Sequence, residues 1–346
     1  MKQYAGLDVS LKEISICVVD EVGTVRIRGS VACEPGAVVK FFTEKQITPT
    51  LMVHESGQLS IWLQRSLSDL GMAVTCIDAR IAHKVLSAKL NKSDATDAEG
   101  LAQLARTGWF TPVYIRSLDA DRLKTLISAR VRLIHLRKDL EGHIRGVLKT
   151  FGIRMTAIGQ GQLRQAFRDQ LTKAALCEPI FAAIAEGFIT VHSTLCIAAA
   201  EIDDKLRKIA KGSDLARRLM TIPGVGPIVA LNFIAVIDNT DRFRKTSNVG
   251  AFLGLTPRRY QSGEMDYSGR ISKCGDNAIR GLLFEAATSL IVRVKRFSPL
   301  KSWAIRLAGR KGFKKAAVAA ARKIAVLMLT LWKNGTEFQW AKEAVA

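Results

Sequence analysis

Between Asp119 and Lys149 the apolar residues Leu123, Leu126, Ile127, Val131, Ile134, Leu140, Ile144 and Leu148 recur at roughly helical spacing. An ordinary globular helix runs about three or four turns, and this one must run far longer. Such an element cannot sit inside one small core. It divides the chain into what folds before it and what folds after it. A second helix is predicted over "HSTLCIAAAEIDDKLRKIAK", residues 192–211. Two long charged helices with a glycine-bearing middle fit a helical hairpin or coiled-coil dimerisation arm. They fit an ordinary helical bundle equally.

Before the long helix, strand and helix signals alternate. "YAGLDVS" is a short apolar strand, "EISICVVD" alternates Ile14, Ile16 and Val18, and "TVRIRGSV" alternates Val25, Ile27 and Val31. Short turns between them predict an antiparallel meander. "EPGAVVKFFTEK" opens on Pro35 and predicts a helix. "TLMVHES" predicts a buried strand, followed by a helix near Leu59–Leu70 and a strand "AVTCID". Helical patterns continue to about Arg106. Residues 1–115 therefore predict a mixed-sheet α/β domain. Residues 116–213 predict the helical arm, and 214–346 a mainly helical C-terminal domain. The latter holds "TIPGVGPIVALNFIAVI", residues 221–237, which resembles a helix-hairpin-helix. Gly224 and Gly226 in its turn would expose backbone N–H groups to a phosphate. A plain helix–turn–helix packing element is the other reading.

Charge separates these parts. The chain of 346 residues carries +21, yet residues 1–115 hold 12 Lys+Arg against 12 Asp+Glu. Residues 242–324 hold 19 Lys+Arg against only Glu264, Asp266, Asp276 and Glu285. A basic excess outside one neutral domain predicts a polyanion-binding surface, nucleic acid above all. Arg310, Lys311, Lys314 and Lys315 in "GRKGFKK" are part of it. Hydrophobic residues make up 48%, which excludes a disordered chain. No apolar run is expected to reach the length of a membrane span, and no signal peptide precedes "YAGLDVS", so the expectation is a cytoplasmic protein with no membrane partner. The six cysteines and five histidines are scattered. They predict buried thiols rather than zinc sites or disulfides.

Two constellations carry chemistry. Asp8 ends the first strand, and Glu55 ends the buried strand in "VHESG". Asp94 and Asp97 in "NKSDATDAEG" lie three apart at the opening of a helix and share a face. Singly, each has a bland account as turn, strand-end or capping residue. Together, converging carboxylates repel each other, which is tolerable when a divalent cation neutralises them, and Mg²⁺ prefers such ligands. The second constellation is "PRRYQSGEMDYSGRISKCGD", residues 257–276. It sets Arg258, Arg259, Arg270 and Lys273 around Ser262, Ser268 and Ser272. Apolar residues are too sparse here for a core helix or buried strand. The stretch is either a polar loop or the seat of a serine acting on something anionic.

The strand-end Asp, strand-end Glu and D-x-x-D helix resemble the Asp-Glu-Asp-Asp tetrad of the RuvC-like branch of the RNase H-like fold. "IPGVGPIVALNFIAVIDNTDRFRKTSNVGAFLGLTPRRYQSG" together with "GRISKCGDNAIRGLLFEAA" resembles the transposase domain of the insertion-sequence-110 family, bridge-RNA-guided recombinases of bacterial mobile elements. The resemblance covers nearly the whole chain. It implies an RNase H-like N-terminal domain with Mg²⁺ on Asp8, Glu55, Asp94 and Asp97. It also implies Ser262 as nucleophile, with Ser268 and Ser272 as loop or phosphate-contact residues. By the same resemblance the partners are donor and target DNA and a guide (bridge) RNA, and the protein is a homo-oligomer, dimer or tetramer. A composite site, with the tetrad of one protomer and the serine of another, is expected from the arm.

The residues support this chemistry. Nothing like a Ser-His-Asp triad surrounds Ser262, so activation must come from elsewhere. Guanidinium groups at 258, 259 and 270 suit a pentavalent phosphate. Two other functions share some of these features. A junction-resolving nuclease would use the same carboxylates with water. A structural nucleic-acid binder would explain the charge and not the four acids.

Overall fold

The computed structural model describes residues 2–86, 93–155, 164–263 and 265–340. The chain divides into two compact units, Met1–Arg116 and Ser117–Ala346.

The first unit is built on one mixed sheet. Strands β1 (Gln3–Val9), β2 (Glu13–Asp20) and β3 (Val25–Ala32) form the antiparallel meander read from the alternation. Helix α1 (Pro35–Glu44) follows, with Pro35 at its start as expected. Strands β4 (Leu51–Glu55) and β5 (Val74–Ile77) then join parallel to β1, flanking α2 (Ser60–Asp69). The order is β3-β2-β1-β4-β5. Helices α3 (Ala79–Leu86) and α4 (Asp94–Thr107) complete the unit.

Both faces of this sheet are buried, and the strand period sorts the residues. Leu7, Ile14, Ile16, Val18 and Met52 pack with Val38 and Phe42 of α1 and Leu63 and Leu67 of α2. On the other face Cys17 and Val19 meet Ala98 and Ala102 of α4, and Val53 and Ile77 meet Leu101, Leu104 and Ala105. Each fully buried large side chain contributes about 1.5–3 kcal/mol. The chain thus pays for order in three layers, with the sheet in the middle.

The second unit is helical apart from one ribbon. Helix α5 (Leu118–Thr150) confirms the long periodic run. It packs against α7 (Pro179–Gly212), with Ile127 beside the Leu206 end and Ile144 and Leu148 beside the Phe181 and Ala185 end, so the two run antiparallel. Between them lies α6 (Gln165–Cys177), which the sequence did not suggest. Helix α7 also starts earlier than expected, at Pro179 in its first turn. An 18-residue window of α7 has mean hydropathy 1.7 and is only 22% buried. By length and composition alone it could cross a membrane, which corrects the expectation that no stretch could. In the sequence, Glu186 and His192 interrupt its apolar residues. At the other end of α5, a larger core joins α8 (Asp214–Met220), α9 (Pro227–Ile237), α10 (Asn248–Phe252), α11 (Asn277–Val292), α12 (Pro299–Lys311) and α13 (Phe313–Asn334). Lys124 of α5 pairs with Asp276, 2.5 Å away, which caps α11 through Ala278 N–H. Burial pushes the Asp276 carboxyl up, but Lys124 and two backbone donors outweigh it, and the group lies below its ordinary range. The cap therefore holds above the unfolded pKa and is lost as pH falls through the folded one.

Gly6 shows how tightly the first unit is assembled. A Cβ there would lie 2.0 Å from Ala98 O and 2.4 Å from Ala102 N, both backbone atoms of α4. Gly6→Ala should lower stability of the first unit by about 1–3 kcal/mol, read as a shift of the urea midpoint. Gly36→Ala in α1, where nothing lies within 4 Å, should leave the midpoint unchanged or raise it.

Candidate functional site

Parallel pairing sets Asp8 and Glu55 side by side. Gly6 pairs with Val53 and Leu7 with His54, so the next pair along is Asp8 and Glu55. Strand alternation then decides the face. Leu7 and His54 point to the α1 and α2 side, where buried His54 meets Gln64. Burial pushes the His54 imidazole below its ordinary value, so it is neutral at pH 7. Gly6 and Val53, and with them Asp8 and Glu55, point to the α4 side.

Helix α4 begins in a reciprocal cap. Ser93 Oγ accepts from Thr96 N–H at 3.3 Å, and Ser93 N–H donates to Thr96 Oγ1 at 2.8 Å. Such a cap is worth about 0.5–2 kcal/mol and fixes the first turn, which carries Asp94 and Asp97. The helix runs opposite to β1. Ala98 and Ala102 lie at Gly6, whereas Gln103 donates to Gly23 O at 2.7 Å, beyond the Asp20 that pairs with Gln3. The N-terminal turn of α4 therefore lies toward the Asp8 end of β1. All four carboxylates thus lie toward the same end of β1 and β4, on the α4 side of the sheet. A cavity of about 230 Å³ opens at that end, lined in part by Val9, Ser10, Leu11, Glu55, Gly57 and Ser60. Asp8, Glu55 and Asp97 are half-buried and Asp94 is exposed.

A set of four carboxylates suits a hard divalent cation by its chemistry. As placed, however, no three His, Cys, Asp or Glu side chains among the described residues form a group that could hold a metal ion. This end of the sheet assembles the donors without closing them into a coordination sphere.

Ser262 belongs to the second unit. The polar stretch 257–276 contains an antiparallel ribbon of β6 (Pro257–Ser262) and β7 (Met265–Ile271). It is exposed throughout except at Ile271, which is half-buried. Wetted on both faces, it has no hydrophobic alternation to betray it. Cross-strand pairs hold it instead: Tyr260 with Tyr267, and Arg259 with Asp266. Ser262 is the last residue of β6 and pairs with Met265, so it stands at the tip. Glu264 lies outside the described residues.

The root of the ribbon is pinned to the helical core. Lys273 N–H donates to Gly254 O at 3.1 Å, and Ser272 N–H to Thr256 O at 2.9 Å. Arg280 reaches Gly275 O at 3.1 Å and also bonds Cys274 O. Arg258 donates to Ser272 O at 3.2 Å beside a register shift in β6.

The basic side chains are not gathered around the serine. Arg259 forks onto Asp266, with Nε 2.8 Å from Oδ1. The hydrogen bond from Arg259 holds the Asp266 carboxyl below the usual range, and the guanidinium pKa is raised in return. Alternation puts Arg259 on the ribbon face opposite Ser262, and Arg270 lies beyond the register shift, toward the root. Ser268 shares that face with Arg259, and Ser272 lies at the root. Arg270 and Lys273 instead line a groove of about 1490 Å³ with Lys314 and Lys315. Trp303, Arg322 and Lys323 line it too and escaped the sequence reading. Their signal was present: Arg322 and Lys323 recur seven and eight residues after Lys315, on one face of α13. Arg310 and Lys311 occupy the last turn of α12, where they complement its dipole.

The turn holding Gly224 and Gly226 joins α8 to α9. Gly224 has φ +89°, and a Cβ on it would lie 2.4 Å from Ala286 O of α11. Close packing of helices accounts for this glycine. Gly226, next to open space, caps the start of α9.

Comparison with known proteins adds the relatives. A family model described as "Transposase IS116/IS110/IS902 family" matches residues 216–302, and one described as "Transposase" matches residues 5–153. A Sinorhizobium fredii protein described as a transposase, y4pF/y4sB, is 30% identical over 88% of this chain and 78% of its own. The transposase for insertion sequence element IS1111A of Coxiella burnetii is 26% identical over 94% of this chain and 88% of its own. Among solved structures, T. thermophilus RuvC in complex with Holliday junction substrate aligns with 33% of this chain and 100% of its own. Identity there is 14% and the TM-score 0.26, a likeness too slight to bear on function.

The ion pairing on the ribbon has a measurable consequence. Each cation that meets a DNA phosphate steepens the log–log salt dependence of binding by about 0.9. Lys314→Ala with Lys315→Ala should flatten the slope by roughly 1.8. Arg259→Ala should change it by roughly half a unit or less, because Asp266 already neutralises that charge. Fluorescence anisotropy on a DNA duplex over a salt series reads both.

Proposed function

Because this chain belongs to the IS110 family of transposases, we propose that it transposes DNA by serine-mediated strand exchange, with Ser262 as nucleophile and Asp8, Glu55, Asp94 and Asp97 as holders of a divalent cation. The observation that carries this reading is the placement of Ser262. It stands at the tip of an exposed ribbon whose root is anchored by backbone hydrogen bonds and Arg280. Held out on an anchored support, its hydroxyl is accessible to a backbone phosphate. The placement of Asp8 and Glu55 at neighbouring strand ends, with Asp94 and Asp97 in the helix turn toward that end, supports the metal part, although the four are not drawn into one coordination group. The strand order and directions fit the RNase H-like architecture that the family resemblance implies.

The reaction is transesterification. Ser262 Oγ bonds to a backbone phosphorus, one deoxyribose oxygen leaves as a hydroxyl, and the serine proton is accounted for on that hydroxyl. The phosphoserine diester keeps the energy of the broken bond, so a new strand's hydroxyl can displace serine without ATP. Serine is a poor nucleophile unaided. When bound, a divalent cation such as Mg²⁺ would supply charge stabilisation at the phosphate oxygens and lower the pKa of an attacking group. The chain's own part is to bring four carboxylates to the same end of the sheet and to present the hydroxyl. Donor and target DNA are the substrates. The basic groove formed by Arg270, Lys273, Lys314 and Lys315 is the proposed nucleic-acid grip, and a guide RNA is a further occupant by family resemblance.

Helix α7 is the proposed contact between copies. Ile180, Ile184 and Val191 recur at spacings that keep them on one helix face, and all are exposed. A second copy would bury that stripe and satisfy the same apolar stretch that passes as a membrane span.

Two measurements test these readings. Covalent capture uses the protein, the element's RNA, both DNAs and Mg²⁺, followed by denaturation. Wild type should give a protein–DNA adduct, and Ser262→Ala and Asp8→Ala should each abolish it. Cleaved DNA without an adduct, unaffected by Ser262→Ala, would mean that water is the nucleophile. Ile184→Glu with Val191→Glu should reduce the assembly's mass by light scattering. An unchanged mass would remove α7 as the contact.

A further inference from the structure

Tyr260 and Tyr267 face each other across the ribbon, with ring centroids 5.0 Å apart and planes 20° from parallel. Both stand in solvent, 46% and 58% exposed, and Met265 is 65% exposed. Ser262 pairs with Met265 two positions along from the tyrosine pair, so all four side chains share one face. The other face carries Arg259, Gln261, Asp266 and Ser268. The ribbon is thus two-sided, with aromatic groups and the hydroxyl on one side and ion-paired polar groups on the other.

Cross-strand stacking helps hold the ribbon, but a two-stranded ribbon is marginal in water. Leaving two rings and a methionine bare at its tip is a poor way to stabilise it. The same arrangement is a good way to meet a flat partner. Tyrosine has few rotamers to lose, and rings already stacked lose fewer still when a third joins. Charge selects which flat partner. Residues 242–324 hold 19 Lys+Arg against four acids, and Arg270 and Lys273 lie at the ribbon's root. Exposed aromatic rings beside a cationic groove match a single-stranded nucleic acid, with bases on rings and phosphates on cations. The base must be unpaired, because a paired base keeps its faces inside the stack.

We propose that the Tyr260–Tyr267 pair is a stacking platform that seats an unpaired nucleobase beside the phosphate addressed by Ser262. This deepens, and rests on, the reading of Ser262 as nucleophile. The rings take no part in bond making. They are positioning residues: a base seated on them sets the neighbouring phosphate against a hydroxyl carried on the same face.

The test uses the full chain as Ser262→Ala, so that no serine–DNA link can form. The probe is a single-stranded oligodeoxynucleotide carrying 5-iodouracil at successive positions, photocrosslinked and mapped by peptide mass spectrometry. Crosslinks should fall on Tyr260 or Tyr267. Tyr260→Phe with Tyr267→Phe should keep them at the same positions. Tyr260→Val with Tyr267→Val keeps the strand propensity of the ribbon and removes both π faces. It should abolish the crosslinks and weaken binding of the strand on the order of tenfold. Crosslinks confined to Trp303 or elsewhere outside the ribbon, with the valine pair binding as tightly as its parent, would overturn the proposal. The nucleophile reading fails by a different result, the lack of a wild-type adduct.

Discussion

The first unit depends on one close approach. The backbone of α4 rests on β1 at Gly6 with no room for a side-chain carbon. The carboxylate end of the sheet depends on that contact. It brings α4 near enough for Cys17, Val19, Val53 and Ile77 to bury against its alanines and leucines. With the Gln103 hydrogen bond to Gly23 O it fixes the helix antiparallel to β1, so that the capped turn carrying Asp94 and Asp97 lies toward the end where Asp8 and Glu55 emerge. A helix held farther off would still be amphipathic and would still bear two acids. It would not bring them to the strand ends.

The ribbon in the second unit is held by a different economy. Its strands bury almost nothing, so its stability comes from cross-strand pairs and from an anchored root. Arg259 and Asp266 neutralise each other on one face, and two tyrosines stack on the other. The ion pair lies in water and adds little stability by itself. Its larger effect is on charge: Arg259 is partnered before any DNA arrives. The free basic surface is displaced to the groove between the ribbon root, α12 and α13. Grip and nucleophile are therefore separate features of the same domain. This differs from the arginine-ringed serine that the sequence suggests.

Much of this was legible in the chain. Period-2 alternation identified β2 and β3, and buried runs identified β4 and β5. Helical spacing identified α5 almost to the residue, because long periodic patterns admit few alternatives. Helix α6 and the first part of α7 were missed. Helix α6 is short and buries only Phe167, Leu171 and Ala174 among its apolar residues, and Glu186 breaks the apolar start of α7. The ribbon was missed for the opposite reason: with both faces wet, strand pairing leaves no hydrophobic signature.

For the candidate site, the sequence by itself determined the donors and their element ends: Asp8 and Glu55 closing strands, Asp94 and Asp97 opening a helix, and Ser262 in a basic stretch. Residue type and local position are properties of the chain, and local propensity carries them. Only the tertiary structure decided the pairing and the faces. Parallel register set Asp8 beside Glu55, the Gly6 contact oriented α4, and strand alternation separated Ser262 from Arg259 and joined it to Tyr260 and Tyr267. Register and helix direction arise from contacts between residues far apart in the chain, and a one-residue slip would exchange every face. No local pattern contains that information.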